Sequence, residues 1–117
     1  MRLLLSRNDV NPDKLDSDGR TPLSRASLNG REGVARLLLT RDDIDPNKPD
    51  DDGRTPLWWA SFYGQEGVVG LLLSRNNVNP DKPNNGGQTP LGVASSRGHM
   101  EIVALLQPRT TTISNMD

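Results

Sequence analysis

Apolar residues in this chain come in short bursts that recur at a fixed interval. Leu-Leu-Leu stands at 3–5, 37–39 and 71–73, and a fourth copy decays to Leu105-Leu106-Gln107. Thr-Pro-Leu stands at 21–23, 55–57 and 89–91, each 34 residues from the next. Between the bursts lie polar stretches rich in Asp, Asn, Pro and Gly. Lysine occurs only at Lys14, Lys48 and Lys82, in one phase; Arg7, Arg41, Arg75 and Arg109 share another. Residues 16–49 match residues 50–83 at 20 of 34 positions. Self-similarity at a fixed period marks a tandem repeat, and it outranks any reading of single segments.

Within one period the pattern predicts helix, turn, helix, loop. Thr21 suits an N-cap, its hydroxyl accepting from an orphan backbone N–H. Pro22 suits the first helical position, where a missing N–H costs nothing. The first helix is expected to run to about Leu28 or Asn29 and to stop at Gly30, with Gly64 and Gly98 repeating the stop. The second is expected from about Arg31 to Thr40. Val34, Leu37 and Leu38 fall at i, i+3, i+4 and are expected to form its apolar face. Glu32 near its start and Arg41 near its end suit the macrodipole. The loop 42–52 follows, closed by Gly53 in a positive-φ turn. Helices of two to three turns are marginal alone in water, so each unit needs a neighbour to bury its apolar face.

Asp16-Ser-Asp-Gly-Arg-Thr-Pro-Leu-Ser-Arg-Ala, then Asn29-Gly30, then Val34-Ala-Arg-Leu-Leu-Leu resembles an ankyrin repeat. Residues 50–73 and 87–106 resemble it equally, and Gly98-His99-Met100-Glu101-Ile102-Val103 is close to the family's usual second-helix opening. The resemblance covers about residues 2–107. It implies an all-α ankyrin-repeat solenoid of stacked helix-turn-helix units joined by extended loops and hairpin-like turns. There are two departures. The family's usual His after Thr-Pro-Leu is Ser24, Trp58 and Gly92, which removes the hydrogen bond that this His normally gives the preceding loop. The period is 34 rather than 33, with Asn11-Pro12, Asp45-Pro46 and Asn79-Pro80 in the loop. This variant resembles the long ankyrin arrays of filamentous fungi, often attached to signalling NTPase domains.

The register sets the expected units. Residues 1–15 read as the second half of a truncated repeat, 16–49 and 50–83 as full repeats, 84–107 as the carboxyl-terminal repeat, and 108–117 as a disordered tail. Met1 aligns with Ala35 and Val69, inside a second helix, so the chain is expected to be part of a longer array. Leu3 to Leu5 lack an upstream polar cap and are candidates for end-to-end self-association.

Composition narrows the chemistry. The chain is 32% hydrophobic, below the usual ~45–50%, so its core is built from a few Leu, Val and Ala columns. A formal net charge of −1 gives no basic footprint for nucleic acid. No run approaches the ~18 apolar residues of a membrane span. The first residues lack a signal-peptide core, so an intracellular, cytoplasmic location is expected, with the nucleus an alternative. With no cysteine and one histidine, thiolate and His-pair metal sites are excluded, and neither metal nor cofactor is expected. The acidic turn 50–53 fails as a calcium loop, because the EF-hand spacing puts Lys48 first and Trp59 last. Asn85-Gly86-Gly87 lacks the Lys-Ser/Thr of a phosphate loop. His99 has no nucleophile patterned near it, so no catalytic residue is expected.

The aromatic residues are the exception to the repetition. The chain has four, Trp58, Trp59, Phe62 and Tyr63, all in one predicted first helix. Their counterparts one period earlier are Ser24, Arg25, Leu28 and Asn29. A demand common to all units would have placed aromatics in all. In the ankyrin-like register the end of the first helix and the loop tips line a concave face that contacts protein partners, and aromatics anchor such contacts. Trp58, Phe62 and Tyr63, edged by Asp51, Asp52 and Arg54, are therefore the expected partner-binding patch, with Trp59 more buried and structural. The expected function is non-catalytic protein–protein binding. The alternative is a structural spacer or self-associating segment within a larger signalling protein.

Overall fold

The computed structural model describes residues 14–107. It holds six short helices: α1 (Pro22–Asn29), α2 (Glu32–Leu39), α3 (Pro56–Phe62), α4 (Glu66–Leu73), α5 (Pro90–Ser96) and α6 (Met100–Leu106). No strand occurs among the described residues. The odd-numbered helices pack in one row, α1 on α3 and α3 on α5; the even-numbered ones form a second row, α2 on α4 and α4 on α6. Each odd helix also packs on the even helix that follows it. The result is a helical-repeat solenoid, two layers deep. The expected half-repeat at 1–13, Leu3 to Leu5 included, and the expected tail at 108–117 lie outside the described residues.

The start signals act as the sequence predicts. The hydroxyls of Thr21, Thr55 and Thr89 accept from the backbone N–H of Ser24, Trp58 and Gly92 at 3.0, 3.1 and 3.0 Å, each ahead of a proline. At the stops, Gly30, Gly64 and Gly98 take φ of 70°, 73° and 77°, a region that side-chain-bearing residues rarely enter. At Gly64 the missing side chain matters twice, because a Cβ there would lie 2.9 Å from the ring of His99.

The loops are hairpin-like turns held by one carboxylate or amide each. Asp16 Oδ1 accepts from the N–H of Asp18 and of Arg20, both at 2.9 Å. Asp50 and Asn84 repeat the arrangement. Successive turns are linked by backbone bonds, Asp51 N–H to Asp18 O at 3.2 Å and Asn85 N–H to Asp52 O at 2.9 Å.

The core lies between the two rows. Leu23, Ala26, Ala35, Leu38, Leu57, Ala60, Val69, Leu72, Ala94, Ile102 and Leu106 are all buried in one cluster. The predicted apolar face of α2 needs correction. Leu38 is buried, with Ala35 and Leu39, but Val34 is 44% and Leu37 52% exposed. At the phase of Val34, Val68 and Ile102 are 1% and 0% exposed, and they sit on helices that pack against a preceding second helix, α4 on α2 and α6 on α4. No described helix precedes α2 in its row. At the phase of Leu37, Leu71 is half-buried and Leu105 exposed, so that position lies off the core.

Asp16 carries a pH expectation. Partial desolvation pushes its carboxyl up, but the N–H groups of Arg20 and Asp18, then the charges of Arg20 and Arg25, outweigh this and hold it below the ordinary 3.8. A depressed carboxylate contributes stability that is present above the unfolded value and lost as pH falls through the folded one. Asn84 makes the same turn without a charge. Asp16→Asn should therefore lower urea stability modestly at neutral pH, where the ionised carboxyl contributes, and lose less than the parent as pH falls below about 4. Parallel acid limbs in variant and parent would refute this.

Candidate functional site

The sequence packs its four aromatics into α3 and the turn that follows it, and their rings form a connected lattice. Trp58 and Phe62, one turn apart, stack at 5.1 Å with an interplanar angle of 13°. Trp59 and Tyr63 stack at 5.8 Å and 11°. The two stacks meet edge to face, Trp58 on Trp59 at 5.2 Å and Phe62 on Tyr63 at 4.9 Å. A pair at i, i+4 on a helix is placed for such contact.

Depth divides the four. Trp58 is 2% exposed, and its Nε1–H donates to the backbone carbonyl of Gln88, in the next unit's turn, at 3.1 Å. Trp59 is also buried, and its Nε1–H donates to Asp50 Oδ2 at 2.9 Å. Phe62 is half-buried and packs with both tryptophans. Tyr63 is 48% exposed. The expected patch is thus corrected at Trp58. Its position faces the neighbouring unit rather than solvent, and its indole ties down the following turn, so its ring is closed to a partner. Trp59 is buried as expected.

The expected rim residues are accessible to different degrees. Asp51 and Asp52 are exposed at the turn tip. Arg54 is half-buried, its guanidinium lying over Trp58 at 4.9 Å and Trp59 at 5.1 Å while one nitrogen meets Asp52 at 3.3 Å. Arg20 covers Trp59 from the preceding turn at 5.0 Å. Arg54 therefore serves the packing of the helix at least as much as the rim.

Arg97 was not among the expected site residues. It is exposed, and its guanidinium carbon lies 4.2 Å from the centroid of the Phe62 ring. One period before it stands Tyr63 and one before that Asn29, all three exposed at the ends of successive first helices. The phase of Tyr63 pointed to this position, but nothing in the sequence shows a side chain reaching back across a unit.

Two side chains pin the helix ends between units. Gln65 donates from Nε2 to Leu28 O at 3.0 Å, and His99 Nε2 lies 3.0 Å from Phe62 O, a contact in which Nε2 carries the proton. His99 is thereby a packing residue in contact with the aromatic helix. No group of three or more potential metal ligands occurs among the described residues, and no described helix is long and apolar enough to cross a membrane.

Compared with known protein families, the chain matches ankyrin repeats in three copies, over residues 1–84 and 42–117. The chain belongs to the ankyrin-repeat family. Among curated proteins nothing matches it. Ankyrin repeats are generally protein–protein interaction modules and are typically non-catalytic. In ankyrin terms, the departure at Trp58 has a structural answer. Trp58 holds the sequence position of the family's usual His, and its indole N–H donates to the following turn. Gly92 and Ser24 offer no ring at that position, so this tie belongs to the middle repeat.

Proposed function

We propose that this ankyrin stack binds a protein partner along the face where the first helices end and the turn tips project. Tyr63 and Phe62 are the anchors, edged by Asp51, Asp52 and Arg54, and the stack works within a longer array. The observation that carries this reading is Tyr63. It is a large ring, half open to solvent, on a helix whose neighbouring aromatics are buried. It is already stacked on Trp59, so binding would cost little further side-chain freedom. Large, rigid aromatic side chains dominate binding energy at such faces.

The test is a partner isolated on the intact chain and titrated against variants. Tyr63→Ala should weaken binding by about 1–3 kcal/mol, in the range of anchor truncations, while leaving the thermal transition in place. Phe62→Ala should weaken binding similarly but also lower stability, because its ring supports Trp58 and Arg97. Unchanged affinity in the Tyr63→Ala, Phe62→Ala double variant would end this reading.

A second reading, a spacer or self-associating segment, draws on the exposed Val34 and Leu37. It predicts a mass that rises with concentration and falls back on Val34→Glu. A monomer at all concentrations would remove self-association and leave the spacer alone.

A further inference from the structure

The exposed charges on the turns and first helices are not evenly spread. Along the turns stand acids: Asp18 and Asp52 are exposed but each meets an arginine of its own turn, at 3.5 and 3.3 Å, and Asp51 is exposed beside Asp52. Along the first helices stand cations. Arg25 on α1 is exposed, with its carboxylate neighbour Asp16 only at 3.9 Å. Arg97, at the end of α5, makes no ion pair among the described residues, and its guanidinium lies on the face of Phe62.

A structural account of Arg97 as a helix-end cation is incomplete. A cation near a helix C-terminus is favourable when it meets that end's carbonyls. The Arg97 guanidinium instead lies across the unit boundary, over Phe62 of α3. The carbonyl of Phe62, at the end of α3, is already paired with His99. A guanidinium laid on an aromatic face is held in place by that face while its in-plane N–H edge stays free for a carboxylate. The ring of Tyr63 stands against Phe62 at 4.9 Å, edge to face. A fixed cation with a free donor edge and a half-exposed aromatic ring are thus neighbours on one exposed row.

We infer that the segment this face takes is a protein segment carrying an Asp or Glu beside a bulky apolar side chain. The apolar group lies on Tyr63 and Phe62, and the carboxylate takes the N–H edge of Arg97. Asp51 and Asp52 repel a carboxylate from the turn side, so the charge arrangement also fixes which way round the segment lies. This inference rests on the proposed binding face and adds the chemistry of its partner.

Random dodecapeptides displayed on phage and selected on the intact chain supply the probe. Selected peptides should carry Asp or Glu adjacent, or next but one, to an aromatic or large aliphatic residue. Synthetic versions should bind Arg97→Glu about tenfold more weakly than the parent, as loss and reversal of a charge pair predict. Changing the peptide's acid to Lys should restore binding to that variant. Arg97→Gln, which keeps the length of the side chain without its charge, should fall between, and both variants should keep the parent's thermal transition. Peptides that need Tyr63 but show no acid, or bind Arg97→Glu as well as the parent, would overturn this inference and leave the binding face standing. Peptides indifferent to Tyr63→Ala and Phe62→Ala together, or no enrichment at all, would overturn both.

Discussion

Trp58→Ala should cost the stack about 3–5 kcal/mol, the usual range for emptying a large buried aromatic site. A stack of this size has a total stability on the order of 10 kcal/mol, so the variant should keep about half of it and unfold at markedly lower urea and temperature than the parent. The indole is closed off from solvent, stacked by Phe62, covered by Arg54 and bonded to Gln88 O. Its removal empties the middle of the stack and frees the turn that opens the next unit. Trp58→Phe separates the two effects. It keeps most of the ring and loses the N–H, and should cost only about 1 kcal/mol beyond the lost ring area. Far-UV circular dichroism against urea reads both. A Trp58→Ala midpoint close to the parent's would show that the ring does not join the units.

Removing residues 84–117 should have a larger effect. It takes away α5 and α6, on which α3 and α4 pack. The carbonyl partner of Trp58 and the Asn85 bonds to the Asp51 and Asp52 carbonyls go with them. Neighbouring contacts are the whole support of helices seven or eight residues long, which fall short of the ~12–15 needed to persist alone. The shortened chain should be mostly unfolded at room temperature, with a broad transition in place of a steep one. A steep thermal transition near that of the full chain would show that the remaining units do not depend on their successor.

What could be read in advance divides along physical lines. Thr21, Pro22 and Gly30 act through bonds within a few residues of themselves, so their effects were legible from spacing alone. The exposure of Val34 was not. The same position is buried at Val68 and Ile102, and the packing of one second helix on the one before it decides whether it is covered. The depth of Trp58 was hidden for the same reason, since it depends on the carbonyl of Gln88, 30 residues on. Of the expected surface, Tyr63, Asp51 and Asp52 lie open as the pattern suggested. Arg97 was missed because a long flexible side chain can turn toward either neighbour, and only the ring of Phe62 decides.

The aromatic helix has one more consequence, for assembly. Chains of near-identical units risk pairing out of step, because a unit shifted by one period finds almost the same leucine and alanine columns waiting for it. The four rings occur once. Shifted by a period, Trp58 and Trp59 would lose Val93 and Gln88, the partners that the next unit supplies. The quartet thus acts as a fiducial mark: the repeating columns say that units stack, and the rings say which unit comes next.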